Sequence, residues 1–348
     1  MAPIGVAIIG GGIFAQTEHL PAVEKCDKLS LKAVWSRSLK SAQATADLVT
    51  KDKPDVYSGD SGPGKSYDDL LKRDDVAAVI LALPINDQPA YIEAALTAGK
   101  HVLAEKPIAR DVAHAKKLID FYQSSGAAGR GQVLAIAENF RFTPPFLFAA
   151  QQGAGLGKVT HFSARIMGLM KTDNKYYKTP WRTTPEYQGG FLLDGGVHFA
   201  AATRLFLSGD ANKPASVTAL THLSQPHLPP IDTVMAVVRT RSGAVGTYQQ
   251  SSGSLAGAFE WDVAYERGRV QVKGQTVTVT PEGGEETVKQ FERTSGVAEE
   301  VAAWAEAVAA GKPDPLQSPE EALRDLEFLE KMFRSGEQDG ALQTYELQ

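Results

Sequence analysis

Six apolar residues, Ile4-Gly5-Val6-Ala7-Ile8-Ile9, run straight into Gly10-Gly11-Gly12-Ile13-Phe14-Ala15. No other stretch of the chain constrains the fold so tightly. The apolar run does not alternate, which predicts a strand buried on both faces. A helical pattern follows from about Ile13 to Glu24. In a strand-turn-helix of this kind Gly10 permits the tight turn, Gly12 admits close approach of a ligand to the backbone, and Ala15 lets the helix pack near the strand. The spacing G-x-G-x-x-A in this setting predicts a dinucleotide whose pyrophosphate lies at the helix N-terminus. A tight glycine turn without a ligand is the alternative, and the flanking strand and helix favour the dinucleotide.

The pattern repeats downstream. Strands are predicted at Leu31–Trp35, Val76–Leu83, His101–Ala104 and Gln132–Ala137, with helices at Leu39–Val49, Gln88–Ala98 and Val112–Tyr122. Strands alternating with helices imply βαβ units, and right-handed crossovers bring the strands' C-terminal ends to one rim. Gly10 to Ala15, Ser36 to Ser38, Leu83 to Asn86 and Glu105 to Pro107 are therefore expected to line one crevice.

After about residue 140 the pattern changes. Val159–Met167, Ser216–Leu223, Thr233–Arg239, Ala244–Gln250, Glu260–Glu266, Gly268–Lys273 and Thr276–Thr280 read as antiparallel strands, with turn-prone Arg241-Ser242-Gly243 and Glu266-Arg267-Gly268 between them. Val297–Ala310 and Pro319–Phe333 read as helices, the second capped by Ser318 with Glu321 three residues on. The fold class is α/β: an N-terminal Rossmann-type doubly wound parallel sheet over 1–125, then a C-terminal α+β domain with a large, mostly antiparallel sheet over 126–348. The boundary is placed in the polar Ser124–Gly129 segment.

Bulk properties exclude several functions. The 348 residues suffice for two domains, and 43% hydrophobic with 22% charged residues is globular composition. A formal net charge of -5 with scattered Lys and Arg argues against nucleic acid. The single cysteine, Cys26, forms no intrachain disulfide and no thiolate metal site. With neither a signal peptide nor a membrane-length apolar run expected, the chain reads as cytoplasmic.

The second strand ends at Trp35-Ser36-Arg37-Ser38, about 20 residues past the glycines, where an NAD enzyme carries an acid for the ribose hydroxyls. Arg37 can pair instead with a 2′-phosphate, with Ser36 and Ser38 donating hydrogen bonds. NADP(H) is the expected cofactor; a solvated surface arginine is the plainer reading of Arg37. Lys106, in Ala104-Glu105-Lys106-Pro107, ends a buried strand on the same rim, where an ammonium can stabilise alkoxide character during hydride transfer. If a helix covers Leu192 to Phe206, Asp194 and His198 sit at i and i+4 on one face. His198 is then suited to acid–base work and Asp194 to orienting it or binding substrate, against the plainer reading of a capping Asp and a packed His. One Asp and one His make no metal site.

Taken together these segments resemble the Gfo/Idh/MocA oxidoreductase family, and uncharacterised fungal NADP-dependent members in particular. Ala98-Gly99-Lys100-His101-Val102-Leu103-Ala104-Glu105-Lys106-Pro107 resembles the family's Glu-Lys-Pro segment, and Asn139-Phe140-Arg141-Phe142 the stretch after its sixth strand. Trp181-Arg182, Gly189-Gly190 and Asp194…His198 are similar to its Trp-Arg and Asp-x-x-x-His stretches, and Ser318–Ala322 to its C-terminal helix entry. The resemblance implies that Lys106 polarises the reacting oxygen, His198 is the acid–base residue and Asp194 its partner. It also implies a homodimer or homotetramer built through the C-terminal sheet. Ile13, Phe14, Leu83, Pro84, Asn86, Glu105, Trp181 and Arg182 join the expected cofactor site, and Asn139, Arg141 and Tyr187 the substrate pocket. Two positions depart from the family: Gln88 stands where a His is common, and Ala201 where an acid follows the catalytic His.

The expected activity is hydride transfer between NADP(H) and a sugar, polyol or small carbonyl compound. Two alternatives stand beside it: a non-catalytic NADP(H) sensor, and a lyase or glycosidase whose cofactor cycles internally.

Overall fold

The computed structural model describes residues 2–348, which form two compact units. The first comprises residues 2–139 with Ser295–Leu323, and the second Phe140–Thr294 with Arg324–Gln348. The division falls later than the Ser124–Gly129 segment for a simple reason. The last strand of the first half pairs within the first sheet, and a helix from far down the chain returns to that unit's core.

Strands of the first unit are β1 (Ile4–Ile9), β2 (Leu29–Ser36), β3 (Asp55–Ser58), β4 (Ala78–Leu81), β5 (His101–Glu105) and β6 (Leu134–Ala137). All are parallel, in the order β3-β2-β1-β4-β5-β6. This order reverses direction between β1 and β4, and ligands of doubly wound sheets bind at that switch point. The helices are α1 (Leu20–Lys25), α2 (Leu39–Asp47), α3 (Tyr67–Leu71), α4 (Gln88–Thr97) and α5 (Val112–Ser124). A π-helical turn, Ala15–His19, leads into α1. Core residues Val6, Ile8, Leu20, Val23, Ile80 and Leu103 meet Val297, Val301 and Trp304 of the returning helix, Val297–Ala310. Side chains of this size contribute roughly 1.5–3 kcal/mol each when fully buried. Sequence position alone had assigned that helix to the second domain.

The second unit holds a nine-stranded sheet in the order β14-β13-β12-β11-β7-β10-β9-β8-β15. Its strands are β7 (Val159–Met167), β8 (Pro214–His222), β9 (Thr233–Thr240), β10 (Val245–Ser251), β11 (Ala258–Tyr265), β12 (Gly268–Lys273), β13 (Thr276–Pro281), β14 (Thr287–Gln290) and β15 (Gln343–Thr344). Only β7 and β10 pair in parallel. Helices α6 (Pro144–Ala154), α7 (Pro180–Thr183) and α8 (Gly190–Phe206) complete it with the greater part of the C-terminal helix Pro319–Glu337. Alternation decides which face is covered. Val234, Ala236 and Val238 of β9 are buried, whereas Met235 and Val237 between them are exposed. Trp261 donates from Nε1 to Thr203 Oγ1 at 2.9 Å and Gln250 from Nε2 to the Leu192 carbonyl at 2.9 Å, fixing α8 on the inner face. Ser318 caps the C-terminal helix as expected, its Oγ accepting the Glu321 amide at 3.2 Å.

Among the described residues no helix is long and apolar enough to cross a membrane.

Candidate active site

In the first unit the four expected loops do meet at one rim. The Gly10 amide donates to the Trp35 carbonyl at 2.7 Å, Ala82 to Ile9 at 2.8 Å and Gly59 to Ser36 at 3.0 Å, stitching together the ends of β1, β2, β3 and β4. Gly10 has φ +119°, and a Cβ there would lie 2.3 Å from the Ala82 carbonyl oxygen, so no other residue fits without strain. Gly12 differs: a Cβ at that position meets nothing within 4 Å. The turn therefore presents open backbone where a pyrophosphate has to approach. Ser41 Oγ and Gln16 Nε2 both donate to the Gly11 carbonyl, at 2.9 and 3.1 Å, and hold the turn. The first helical bond runs from the Gln16 amide to Gly12, so amides ahead of it point out of the helix start, where an anion is favoured. Ala15 is buried against the sheet. These residues fit a dinucleotide.

Arg37 stands at the end of β2 with its side chain 70% exposed and Nη1 3.7 Å from Asp87 Oδ2. Ser38 caps α2, its Oγ accepting the Ser41 amide at 3.3 Å, and Ser36 is buried. Two acids missed in the sequence lie close by. Asp87 opens α4, and Asp60, from the loop after β3, accepts the Leu39 amide at 2.6 Å. The Ser58 hydroxyl and then the Leu39 amide hold the Asp60 carboxyl below the usual range.

At the end of β5, Lys106 follows Glu105 and is joined to Pro107 by a cis peptide bond. Glu105 Oε1 lies 2.7 Å from His19 Nε2. Gln88, the departure from the family pattern, is buried and donates from Nε2 to the carbonyls of Glu105 and, at 3.4 Å, Pro107. It braces the backbone on both sides of Lys106. Leu83 and Pro84 follow β4, and the Pro84 carbonyl accepts the amides of Asp87 and Gln88 at 3.0 and 3.1 Å to begin α4, leaving Asn86 exposed.

The second unit gathers Asp194, His198, Trp181, Arg182 and Tyr187. Helix α8 starts at Gly189, whose φ of +79° suits glycine, and carries Asp194 and His198 one turn apart as the i, i+4 spacing predicts. Asp194 is buried, and its Oδ2 accepts from Arg182 Nε at 2.7 Å. Spacing had offered His198 as the partner of Asp194; the arginine could not be found that way. Arg182 also donates to Thr179 Oγ1 at 3.2 Å and lies over the Trp181 ring, 4.0 Å from its centroid. His198 stacks on Phe140, with ring centres 4.7 Å apart and planes 14° apart, which fixes the plane of the imidazole. The Tyr187 hydroxyl is buried with no hydrogen-bond partner. Burial pushes this phenol well above its ordinary range, Asp194 adds to the rise and Arg182 opposes it.

Asn139 and Arg141, expected in the pocket, serve as braces. Asn139 donates to the Ser295 carbonyl within the first unit. Arg141 is buried and paired with Asp325, whose other oxygen accepts from Arg204 at 2.6 Å.

Comparison with known proteins settles the family. Residues 4–129 match the Gfo/Idh/MocA model described as an oxidoreductase family with an NAD-binding Rossmann fold, and residues 152–344 match its C-terminal alpha/beta domain. The chain belongs to the Gfo/Idh/MocA oxidoreductase family. It is 42% identical to the dehydrogenase FPY6 of Fusarium mangiferae over 97% of this chain and 98% of that protein. Among solved structures, an oxidoreductase of Thermotoga maritima superposes with a TM-score of 0.85 at 33% identity, covering 98% of both chains. KijD10, a 3-ketoreductase of Actinomadura kijaniata in complex with NADP and TDP-benzene, superposes with a TM-score of 0.76 at 25% identity, covering 96% of this chain and 98% of that one. This Gfo/Idh/MocA protein is thus an oxidoreductase acting on CH–OH or C=O groups, with an NAD(P)-binding fold.

Proposed function

We propose that this chain is an NADP(H)-dependent oxidoreductase that interconverts a hydroxyl and a carbonyl group on a sugar, polyol or small carbonyl compound. One observation carries the reading: Arg37 and Lys106 follow strands β2 and β5 of the parallel sheet, whose glycine turn is open at Gly12. KijD10, described as a ketoreductase in complex with NADP, supports the same cofactor and the same bond.

The nicotinamide, when bound, accepts or supplies the hydride. In the oxidative direction Lys106 Nζ holds the substrate oxygen and stabilises the negative charge that develops as the C–H bond breaks. His198 takes the hydroxyl proton, and the C=O bond forms as the hydride leaves. Reduction is the reverse: His198 returns the proton to the oxygen that Lys106 has polarised. Asp194 fixes the Arg182 guanidinium beside Trp181 and Tyr187, giving the second unit a cationic group for substrate oxygens. In this reading the first unit serves the cofactor, and the second serves substrate and assembly. Leu220, Met235, Val237 and Val245 are exposed on β8, β9 and β10 and form the face proposed to pair with a second copy.

The test is nicotinamide absorbance with NADP⁺ plus D-xylose or myo-inositol, and with NADPH plus 2,3-butanedione. Lys106→Ala is expected to lower kcat by about a hundredfold or more while NADPH still binds. Turnover that survives Lys106→Ala refutes the assignment. Substrate consumed without net change in absorbance points to internal cycling instead.

A further inference from the structure

The turn that carries Lys106 is gripped from two sides by buried groups that no step of the proposed reaction uses. On one side is His19, fully buried at the end of the π-helical turn that follows the glycines. Its Nε2 meets Glu105 Oε1 at 2.7 Å, and its ring stands edge-on to Phe14 at 5.4 Å. On the other side is Gln88, bonded to the carbonyls that flank Lys106. Each spends one side-chain atom on the turn and keeps another, His19 Nδ1 and Gln88 Oε1, buried with no hydrogen-bond partner. An unpaired buried polar atom costs about 1–3 kcal/mol. A leucine or phenylalanine in either place would avoid that cost and fill similar space. Two such atoms around one turn are the mark of a geometry kept for a purpose other than stability. The π-turn points the same way, since an inserted residue of this kind re-aims the side chains beyond it and recurs at functional sites.

We infer that His19 and Gln88 are positioning residues for Lys106. His19 holds the Glu105 carboxylate and Gln88 holds the Glu105 and Pro107 carbonyls, so the residues on either side of Lys106 are restrained. Through Phe14, His19 also ties that turn to the glycine turn. The lysine is therefore presented in constant register with a cofactor seated on the glycines. The inference rests on the reading that Lys106 lies beside the bound cofactor.

The experiment is trace acetylation of the intact protein with acetic anhydride, with and without saturating NADP⁺, with labelling of Lys106 quantified by mass spectrometry. In the wild type NADP⁺ is expected to protect Lys106. In His19→Ala and in Gln88→Leu that protection should fall by about tenfold, with the NADP⁺ Kd held within about twofold. His19→Gln, which retains a side-chain N–H for Glu105, should recover most of it. If His19→Ala fails to fold, Gln88→Leu and His19→Gln still decide the matter. Variants with a lower Tm but wild-type protection of Lys106 overturn the inference and leave the Lys106 reading intact. A wild type that binds NADP⁺ yet labels Lys106 equally in both conditions removes the reading and, with it, the inference.

Discussion

Replacing Arg37 tests the choice of cofactor, and the structure sets the size of the effect. The side chain is 70% exposed, so its attraction for a phosphate is close to that in water, about 1 kcal/mol per unit charge at 4 Å. A phosphomonoester carries roughly 1.5–2 negative charges near neutral pH, giving about 1.5–2 kcal/mol. Against this stands Asp87, 3.7 Å from the guanidinium and itself 45% exposed, a surface pair worth about 0–1 kcal/mol. The net is roughly 0.5–2 kcal/mol, or about two- to thirtyfold in Kd. Arg37→Ala should therefore weaken NADPH by about tenfold and leave NADH within about twofold. Asp87→Asn should act in the opposite direction, tightening NADPH by about two- to fivefold, because the arginine no longer has to leave a competing carboxylate. Both effects should shrink at high salt, since the groups are exposed. Fluorescence titration of each variant with NADPH and NADH at low and high salt provides the measurement. Equal loss of both cofactors in Arg37→Ala would mean that the arginine shapes the loop rather than reads the phosphate, and the argument would fail.

Three further outcomes are expected. Asp325→Ala removes a buried carboxylate shared by Arg141 and Arg204, and should cost about 3–5 kcal/mol in urea unfolding; a loss below about 1 kcal/mol would show that the network does not brace the second unit. His101 is half-buried, which lowers its pKa below 6.5, and its Nδ1 accepts the Val133 amide at 3.0 Å in the neutral form. The unfolded chain therefore takes up the proton first: the stability contributed by His101 is complete above pH 6.5 and is lost as pH falls towards the folded value. The pH dependence of unfolding free energy should be shallower on the acid side in His101→Gln, and an unchanged slope would contradict this. Val237→Lys places a charge in the middle of the exposed apolar face of β9, so sedimentation velocity should show a smaller assembly than the wild type; an unchanged sedimentation coefficient would exclude that face as the interface.

Where the chain's pattern is local, sequence and structure agree closely. β1 and β4 are buried on both faces and have no alternation to confuse, while β9 alternates along its whole length. β7 and β12 begin and end where their apolar patterns do. The elements missed are those whose pattern is short or disguised. β3 has four residues, two of them buried, behind a polar segment, and β15 has only two residues, paired to β8 from the far end of the chain. α6 opens on Pro144-Pro145, which reads as a break although proline is well tolerated in the first helical turn. Pairings across long separations left no local trace either. His19 and Glu105 are 86 residues apart, and Arg141 and Asp325 184 apart. A signal did exist in each pair. His19 interrupts an otherwise apolar stripe beside Leu20 and Val23, and Asp325 sits next to Leu326 in a helix that is buried around it. A polar group in such a place has to be paired, so its presence announces a partner without naming it.

The same distinction governs cofactor choice. The rule that an acid at the end of β2 marks NAD, and its absence NADP, treats one loop as the site. In this structure the end of β2 is flanked by the loop after β3, which brings Asp60 to the Leu39 amide, and by the start of α4, which brings Asp87 to Arg37. The charge that a 2′-phosphate would meet there is set by all three. A single arginine among two carboxylates would discriminate modestly, by the tenfold reckoned above rather than by orders of magnitude, and each acid would be a separate handle on it. Asp60 is the less adjustable of the two, because its carboxylate also anchors the Leu39 amide and the Ser58 hydroxyl, and its removal would loosen the loop that carries Arg37. Asp87 has no such duty in the α2 loop. If selection has tuned this enzyme between its two possible cofactors, Asp87 is the position where a change of charge would do so at least cost to the fold.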